Sequence, residues 1–152
     1  MASVYIGGPV TRRPRSKVPS WVSAVYQEAY RHTGELHAEV IMPEYDSRLD
    51  ARAPHKFFEE IDNRISTSNV AIVIFGSGDV SAGIEAALAS FRGKKVLIVA
   101  EKLEAVPRLL LGMPNVGTVA FNDKYSVSIA LSAFLQENLK PGEARASASA
   151  EG

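Results

Sequence analysis

The segment Asp79-Val80-Ser81-Ala82-Gly83-Ile84-Glu85 sets two carboxylates six residues apart, across what reads as the junction of a loop and a helix. Two carboxylates at such a corner could flank one reacting centre. One attacks an anomeric carbon while the other protonates the leaving group, the logic of glycoside cleavage with retention. Glu85 falls in or near the first turn of the helix, where the helix dipole favours an anion by about 0.3–1 kcal/mol. Gly83 has no side chain, so a substrate could approach the backbone there closely. Ser77 and Ser81 add hydroxyl donors. The same residues also fit a purely structural role. Asp or Ser before a helix is ordinarily a cap, and Glu in a first turn ordinarily complements the dipole. On these residues alone the capping role is the commoner of the two.

A second group is basic. Thr11, Arg12, Arg13, Arg15 and Lys17 form a proline-broken loop that either holds a phosphate, since arginine forks match its oxygens, or is simply solvated. Other chemistry is poorly represented. His32, His37 and His55 are scattered and read as surface or helix-end residues, not metal ligands. The absence of cysteine excludes disulfides, thiolate catalysis and thiolate metal sites. No Walker lysine motif occurs, and Gly7-Gly8 does not extend to a dinucleotide fingerprint. The expectation is therefore no metal and no cofactor. Seventeen basic residues balance seventeen acidic ones, which gives no reason to expect nucleic-acid or anionic-membrane binding. No apolar run reaches the roughly 18–20 residues of a membrane span, and no signal peptide is visible, so the expected location is cytoplasmic.

These residues must be positioned by the elements around them. Residues 3–6 read as a short strand ending at Gly7-Gly8-Pro9. A helix starts at Pro19-Ser20, with Trp21, Val22, Val25, Tyr26, Ala29 and Tyr30 at helical spacing and Gly34 as its end. Residues 38–42 form a second strand and 44–54 a polar loop. Phe57, Phe58, Ile61 and Ile65 mark a second helix. Residues 70–75 are an unbroken apolar run suited to a strand buried on both faces. A third helix follows, with Ile84, Ala87, Leu88 and Phe91 toward the core. A strand at 96–100, a short or irregular helix at 103–111, a strand at 117–121 and a helix at 127–139 complete the pattern. In the last helix Ile129, Ala130, Ala133 and Phe134 are expected inward. Strands alternating with helices predict an α/β, flavodoxin-like or Rossmann-like three-layer sandwich with a five-stranded parallel sheet. One domain would occupy residues 1–140. Residues 141–152, rich in Ala, Ser, Glu and Gly, would form a disordered tail. Ligands of such sheets bind outside the carboxyl ends of the strands, which singles out the loops at 7–17 and 76–81.

DVSAGIE resembles the Asp-Val-x-x-Gly-x-Glu pattern of the nucleoside 2-deoxyribosyltransferase-like superfamily. AALASFRGKKVLIV is similar to that family's helix, Gly-Lys and returning strand, and VYIGGP to its opening strand ending in Tyr-x-x-Gly/Ala-Pro. IDNRISTSNVAIVI resembles the helix before its third strand. The resemblance covers roughly residues 3–100, about two thirds of the chain. It implies Glu85 as covalent nucleophile, Tyr5 as its orienting neighbour and Asp79 as an acid at the substrate. Gly7, Gly8, Ser81, Gly83 and Arg12 would line the substrate. Asp62 is the match for an acid that contacts sugar or base, but it sits one residue out of register, about 100° of helix rotation, with Glu59 in competition.

The superfamily divides into enzymes of nucleosides and of nucleoside 5'-monophosphates. The arginine-rich loop points to a nucleotide; Asp79, where phosphate-binding members commonly carry Ser, points the other way. The C-terminal third departs from the family pattern. It reads Pro107-Arg108-Leu109-Leu110, with Asn115 further on, where transferases offer an Asn to a neighbouring subunit. That departure favours water as the acceptor. The resemblance also implies a homo-oligomer acting on a small-molecule nucleoside or nucleotide, and Trp21, Val25 and Tyr26 would serve an interface or the core equally well. A non-catalytic, TIR-like nucleotide sensor on the same fold is the rival. The glycosidase requires Tyr5, Asp79 and Glu85 to converge at a cleft; the sensor does not.

Overall fold

Alternating side chains of the strands point to opposite faces, and here both faces are covered. The computed structural model describes residues 1–41 and 45–139, and the side chains of Arg15 and Asp50 lie outside that description. The expected end of the second strand at Met42 and Pro43 and the expected tail at 141–152 also lie outside the described residues. Five strands, β1 (Ser3–Gly7), β2 (Glu39–Ile41), β3 (Val70–Phe75), β4 (Lys95–Ala100) and β5 (Val116–Ala120), form one all-parallel sheet in the order β2-β1-β3-β4-β5. This is the flavodoxin-like order, whose direction reverses between β1 and β3. Register across that reversal pairs Tyr5 with Ala71 and Gly7 with Val73.

Helices α1 (Ser20–Glu35) and α6 (Lys124–Asn138) cover one face. Their Val22, Val25, Leu131 and Leu135 pack on Val4, Ile6, Ile72 and Ile74. Helices α3 (Pro54–Thr67) and α4 (Val80–Phe91) cover the other, over Tyr5, Ala71, Val73 and Ile98. Burying each such aliphatic side chain stabilises the fold by about 1.5–3 kcal/mol. Two single-turn helices, α2 (Ser47–Asp50) and α5 (Arg108–Leu111), lie within segments expected to be a loop and a short or irregular helix.

Two expectations about helix faces are corrected. In α4 the buried residues are Ala82, Glu85, Ala86, Ala89 and Ser90; Ala87 and Leu88 are partly buried against the core as expected, whereas Ile84 and Phe91 are 57% and 83% exposed. The helix carries two apolar stripes, and the one made of small residues faces the sheet because it allows closer approach. In α6 the inward stripe is Val127, Leu131 and Leu135, with Phe134 packed at its edge; Ile129 and Ala133 are exposed. In α1, of the two roles open to Val25 and Tyr26 the core one holds, while Tyr30 is exposed.

One charged residue is buried between α1 and α6. Burial works against ionisation of Glu28, but hydrogen bonds from Arg31 (2.6 Å) and Ser128 (2.9 Å) outweigh it and hold its pKa below the ordinary value. His32 lies in the same network, with Nε2 2.7 Å from Ser128 Oγ.

Candidate active site

Strand β1 ends in two glycines, and the space their missing side chains leave is occupied. A Cβ on Gly7 would lie 1.9 Å from Glu85 Oε2 and 2.8 Å from Tyr5 Cε1. Gly8 takes φ +120°, and a Cβ there would lie 2.2 Å from the Ile74 carbonyl oxygen. Gly8 therefore requires glycine on contact and conformational grounds, and a side chain at Gly7 would have to displace the Glu85 carboxylate. From the other side α4 brings in Glu85 as the sixth residue of its helix, in the second turn and not the first. The dipole effect falls off within the first turn, so it is not what holds this carboxylate. Asp79 does cap α4: its side chain accepts the Ala82 N–H at 3.0 Å. Ser81 and Glu85, four residues apart, share one helix face.

Glu85 is 6% exposed and every side of its carboxylate is occupied. Oε2 accepts the Tyr5 hydroxyl at 2.9 Å and the Gly8 N–H at 3.2 Å. Oε1 accepts Arg12 Nη1 at 2.8 Å, with Thr11 Oγ1 at 3.5 Å. Burial pushes the Glu85 pKa from 4.5 up to about 7, against the opposing pull of Arg12, Tyr5 and the Gly8 N–H. Burial, and then the charge of Glu85, push the Tyr5 hydroxyl well above its ordinary value, so Tyr5 stays a protonated donor. The second nitrogen of the same guanidinium, Arg12 Nη2, bonds both oxygens of Asp79 at 2.5 Å. Tyr5, Arg12, Asp79 and Glu85 thus form one connected group at the sheet's reversal point.

Beside this group opens a cleft of about 430 Å³. Arg12, Arg13, Trp21, Ser77, Asp79 and Ser81 are among its walls, and Glu85 is not. Glu85 lies behind Arg12. Arg13 has no ion-pair partner among the described residues.

The structure brings together Tyr5, Gly7, Gly8, Arg12, Asp79, Ser81 and Glu85. It does not bring in Asp62, which pairs with Arg92 at the far end of α4 through bonds of 3.0 and 2.7 Å. Its side chain turns to a surface ion pair and away from the cleft. Glu59 is exposed beside Lys56. Gly83 faces a different, apolar groove, where a Cβ would make ordinary contacts with Phe75 (3.6 Å) and Leu110 (3.7 Å). Asn115 sits at the start of β5, accepting from Lys95 at 3.1 Å, at the opposite end of the sheet. Among the described residues no group of three His, Asp or Glu side chains could hold a metal ion. No helix there is long and apolar enough to cross a membrane. Sequence reasoning missed the bridging of both carboxylates by Arg12, and the cleft walls Trp21 and Glu101. The only signal for Arg12 was its place in a basic loop directly after β1.

Fold and site define a doubly wound α/β protein with a buried, hydrogen-bonded carboxylate where strand order reverses. No protein-family model matches the sequence, and no curated protein sequence matches it. Solved structures do. A CMP N-glycosidase, BcmB, from Clostridium botulinum matches with TM-score 0.58 at 16% identity, over 86% of this chain and 98% of that one. A 2-deoxyribosyltransferase from Bacillus psychrosaccharolyticus matches with TM-score 0.56 at 15% identity, over 84% and 90%. A de novo designed Rossmann 2x3 protein matches with TM-score 0.53 at 18% identity, over 90% of each chain. The fold of this chain is therefore one shared by two members of the superfamily that its motifs resemble.

Proposed function

We propose that this protein is an N-glycosidase that cleaves the base–sugar bond of a nucleoside or nucleoside 5'-monophosphate through a covalent glycosyl ester on Glu85. The observation that carries the reading is the connected group of Tyr5, Asp79 and Glu85 beside one cleft, with two donors fixed on Glu85 Oε2. Those donors orient the carboxylate and leave Oε1 as the attacking atom. Oε1 bonds to C1' as the C1'–N bond breaks, and the bond's electron pair leaves with the base, which Asp79 positions and which takes a proton from solvent. Water then opens the ester. Its oxygen stays on C1', Glu85 departs as carboxylate, and the released proton passes to solvent. Inverting glycosidases need about 6.5–9.5 Å between their carboxyl groups and retaining ones about 5–5.5 Å. A single guanidinium bonded to both carboxylates fits the shorter class. Water as acceptor is favoured because Asn115, the only Asn near the expected place, lies at the wrong end of the sheet.

The phosphate, where present, would meet Arg12, Arg13 and the hydroxyls of Ser77 and Ser81. A homo-oligomer is part of the proposal. Val80, Ile84 and Phe91 of α4, with Leu109 of α5, leave an exposed apolar face that adjoins the cleft through Gly78 and Asp79. A second copy covering it would close the site on that side.

The test is chromatography of free base after incubation with nucleosides and their 5'-monophosphates. Glu85→Gln should abolish release while leaving the circular dichroism spectrum unchanged. Mass spectrometry of wild type with a slow substrate should show the protein heavier by one glycosyl group on Glu85. Wild-type turnover by Glu85→Gln would remove the nucleophile assignment.

A further inference from the structure

Arg12 occupies the position the chemistry needs. Glu85 Oε1, the oxygen left for attack by Tyr5 and Gly8, is covered by Arg12 Nη1 at 2.8 Å, and the cleft reaches Arg12 before it reaches Glu85. A sugar entering the cleft therefore meets a guanidinium, not a nucleophile. Resting on the glycosidase reading, we propose that Arg12 is a latch over Glu85, released by the phosphate of a nucleoside 5'-monophosphate, and that this release sets specificity for nucleotides over nucleosides.

Arg12 leaves Glu85 only where a replacement partner is at hand. Arg12 is three-quarters buried, and so are the carboxylates it joins, with side-chain exposures of 24%, 12% and 7% for Arg12, Asp79 and Glu85. Withdrawing one partner from a buried pair leaves an uncompensated charge, which is strongly unfavourable. A neutral sugar offers Arg12 no charge in exchange. A phosphate does, with oxygens that match the guanidinium fork. A ligand shifts an equilibrium between two arrangements only by its differential affinity for them, and the phosphate is the part of a nucleotide that supplies it. Arg13, Ser77 and Ser81 stand on the same cleft to hold the phosphate once it arrives.

The latch also removes the conflict between the basic loop and Asp79. A guanidinium has five N–H donors. Arg12 can turn from Glu85 to phosphate while Nη2 stays on Asp79, so that Asp79 meets the phosphate with its charge already paired.

The test compares base release from a nucleoside and from its 5'-monophosphate by wild type, Arg12→Ala and Arg12→Gln. A residue that only binds phosphate would, when removed, weaken nucleotide cleavage and leave nucleoside cleavage as it was. Measured at a pH well above the Glu85 midpoint, where the carboxylate is charged with or without Arg12, a latch predicts that removal raises kcat on the nucleoside by about tenfold or more while the nucleotide loses its advantage. Nucleoside cleavage equal to or below wild type in both variants overturns the proposal. A second readout needs neither catalysis nor a folded Arg12 variant. The Glu85 carboxyl carbon, assigned in the NMR spectrum by its loss in Glu85→Gln, is titrated in wild type with ribose 5-phosphate and with ribose. Ribose 5-phosphate should move its midpoint upward, because the lowering effect of Arg12 is withdrawn, and ribose should not. An unmoved midpoint overturns the latch whatever the assays show. Failure of every protein to release base, with the midpoint moving as stated, instead rejects the glycosidase reading alone.

Discussion

In its proposed role Glu85 must be charged to attack, yet it is almost wholly buried. Raising its pKa from 4.5 to about 7 corresponds to about 3 kcal/mol in favour of the protonated form. Activity should therefore rise with pH through about 7 and level off above it, as read in a pH profile of kcat/KM. Tyr5→Phe deletes one of the bonds that favour the charged carboxylate. A hydrogen bond to a charged group is worth about 1.5–3 kcal/mol, so the rising limb should move to higher pH by about one unit or more. An unmoved limb would mean that another group titrates there. The same shift has a cost in stability. The folded state holds a proton on Glu85 that the unfolded state has released, between pH 4.5 and about 7. Its contribution is complete below 4.5 and is lost as pH rises through 7. Glu85→Gln cannot lose that proton, so its melting temperature relative to wild type should increase between pH 5 and pH 8.

At the scale of elements, the site depends on how closely α4 approaches the end of β1. Ala82, Ala86, Ala89 and Ser90 let the helix lie near the sheet, and Gly7 leaves room for the carboxylate of the same helix. Gly7→Ala places a Cβ against Glu85 Oε2 at 1.9 Å, so either the helix or the carboxylate must move. Overpacking of this kind costs about 1–3 kcal/mol. Urea unfolding should show that loss together with loss of base release. Gly83→Ala is the contrast. Its Cβ would meet Phe75 and Leu110 at ordinary distances, and exchanging Gly for Ala inside a helix gains up to about 1 kcal/mol. That variant should keep its activity and melt no lower than wild type. Loss of activity on Gly83→Ala would restore the substrate-facing role first assigned to this glycine.

For the whole molecule, the order β2-β1-β3-β4-β5 puts the loop after β1 beside the loop after β3. That neighbourhood joins Arg12, 67 and 73 positions away in sequence, to Asp79 and Glu85. The outward face of α4 is the other large-scale feature. Phe91 and Leu109 are 83% and 84% exposed, and contiguous apolar exposure of this kind marks association surfaces. If the proposed homo-oligomer forms through this face, charged substitution of Ile84 and Leu109 together should convert it to monomer in light scattering. A monomeric wild type would reject the homo-oligomer.

The sequence by itself determined the three-layer fold. Apolar runs such as Val70–Phe75, alternating with helical periods, permit no other way of burying so much apolar surface, and every strand falls within about two residues of its expected bounds. It also marked Asp79 and Glu85, because the spacing within DVSAGIE is local and survives in the linear pattern, and Tyr5 through the resemblance carried by VYIGGP. Tertiary structure alone decided which stripe of α4 turned inward. Ile84, Ala87, Leu88 and Phe91 and the small-residue stripe are both helical, and only the depth of the gap above β3 and β4 distinguishes them. It alone placed Asp62 in a surface ion pair, since 100° of helix rotation means nothing until a neighbour is fixed. And it alone set Arg12 on Glu85, because a charge pair 73 positions apart exists only once the sheet has brought two loops together.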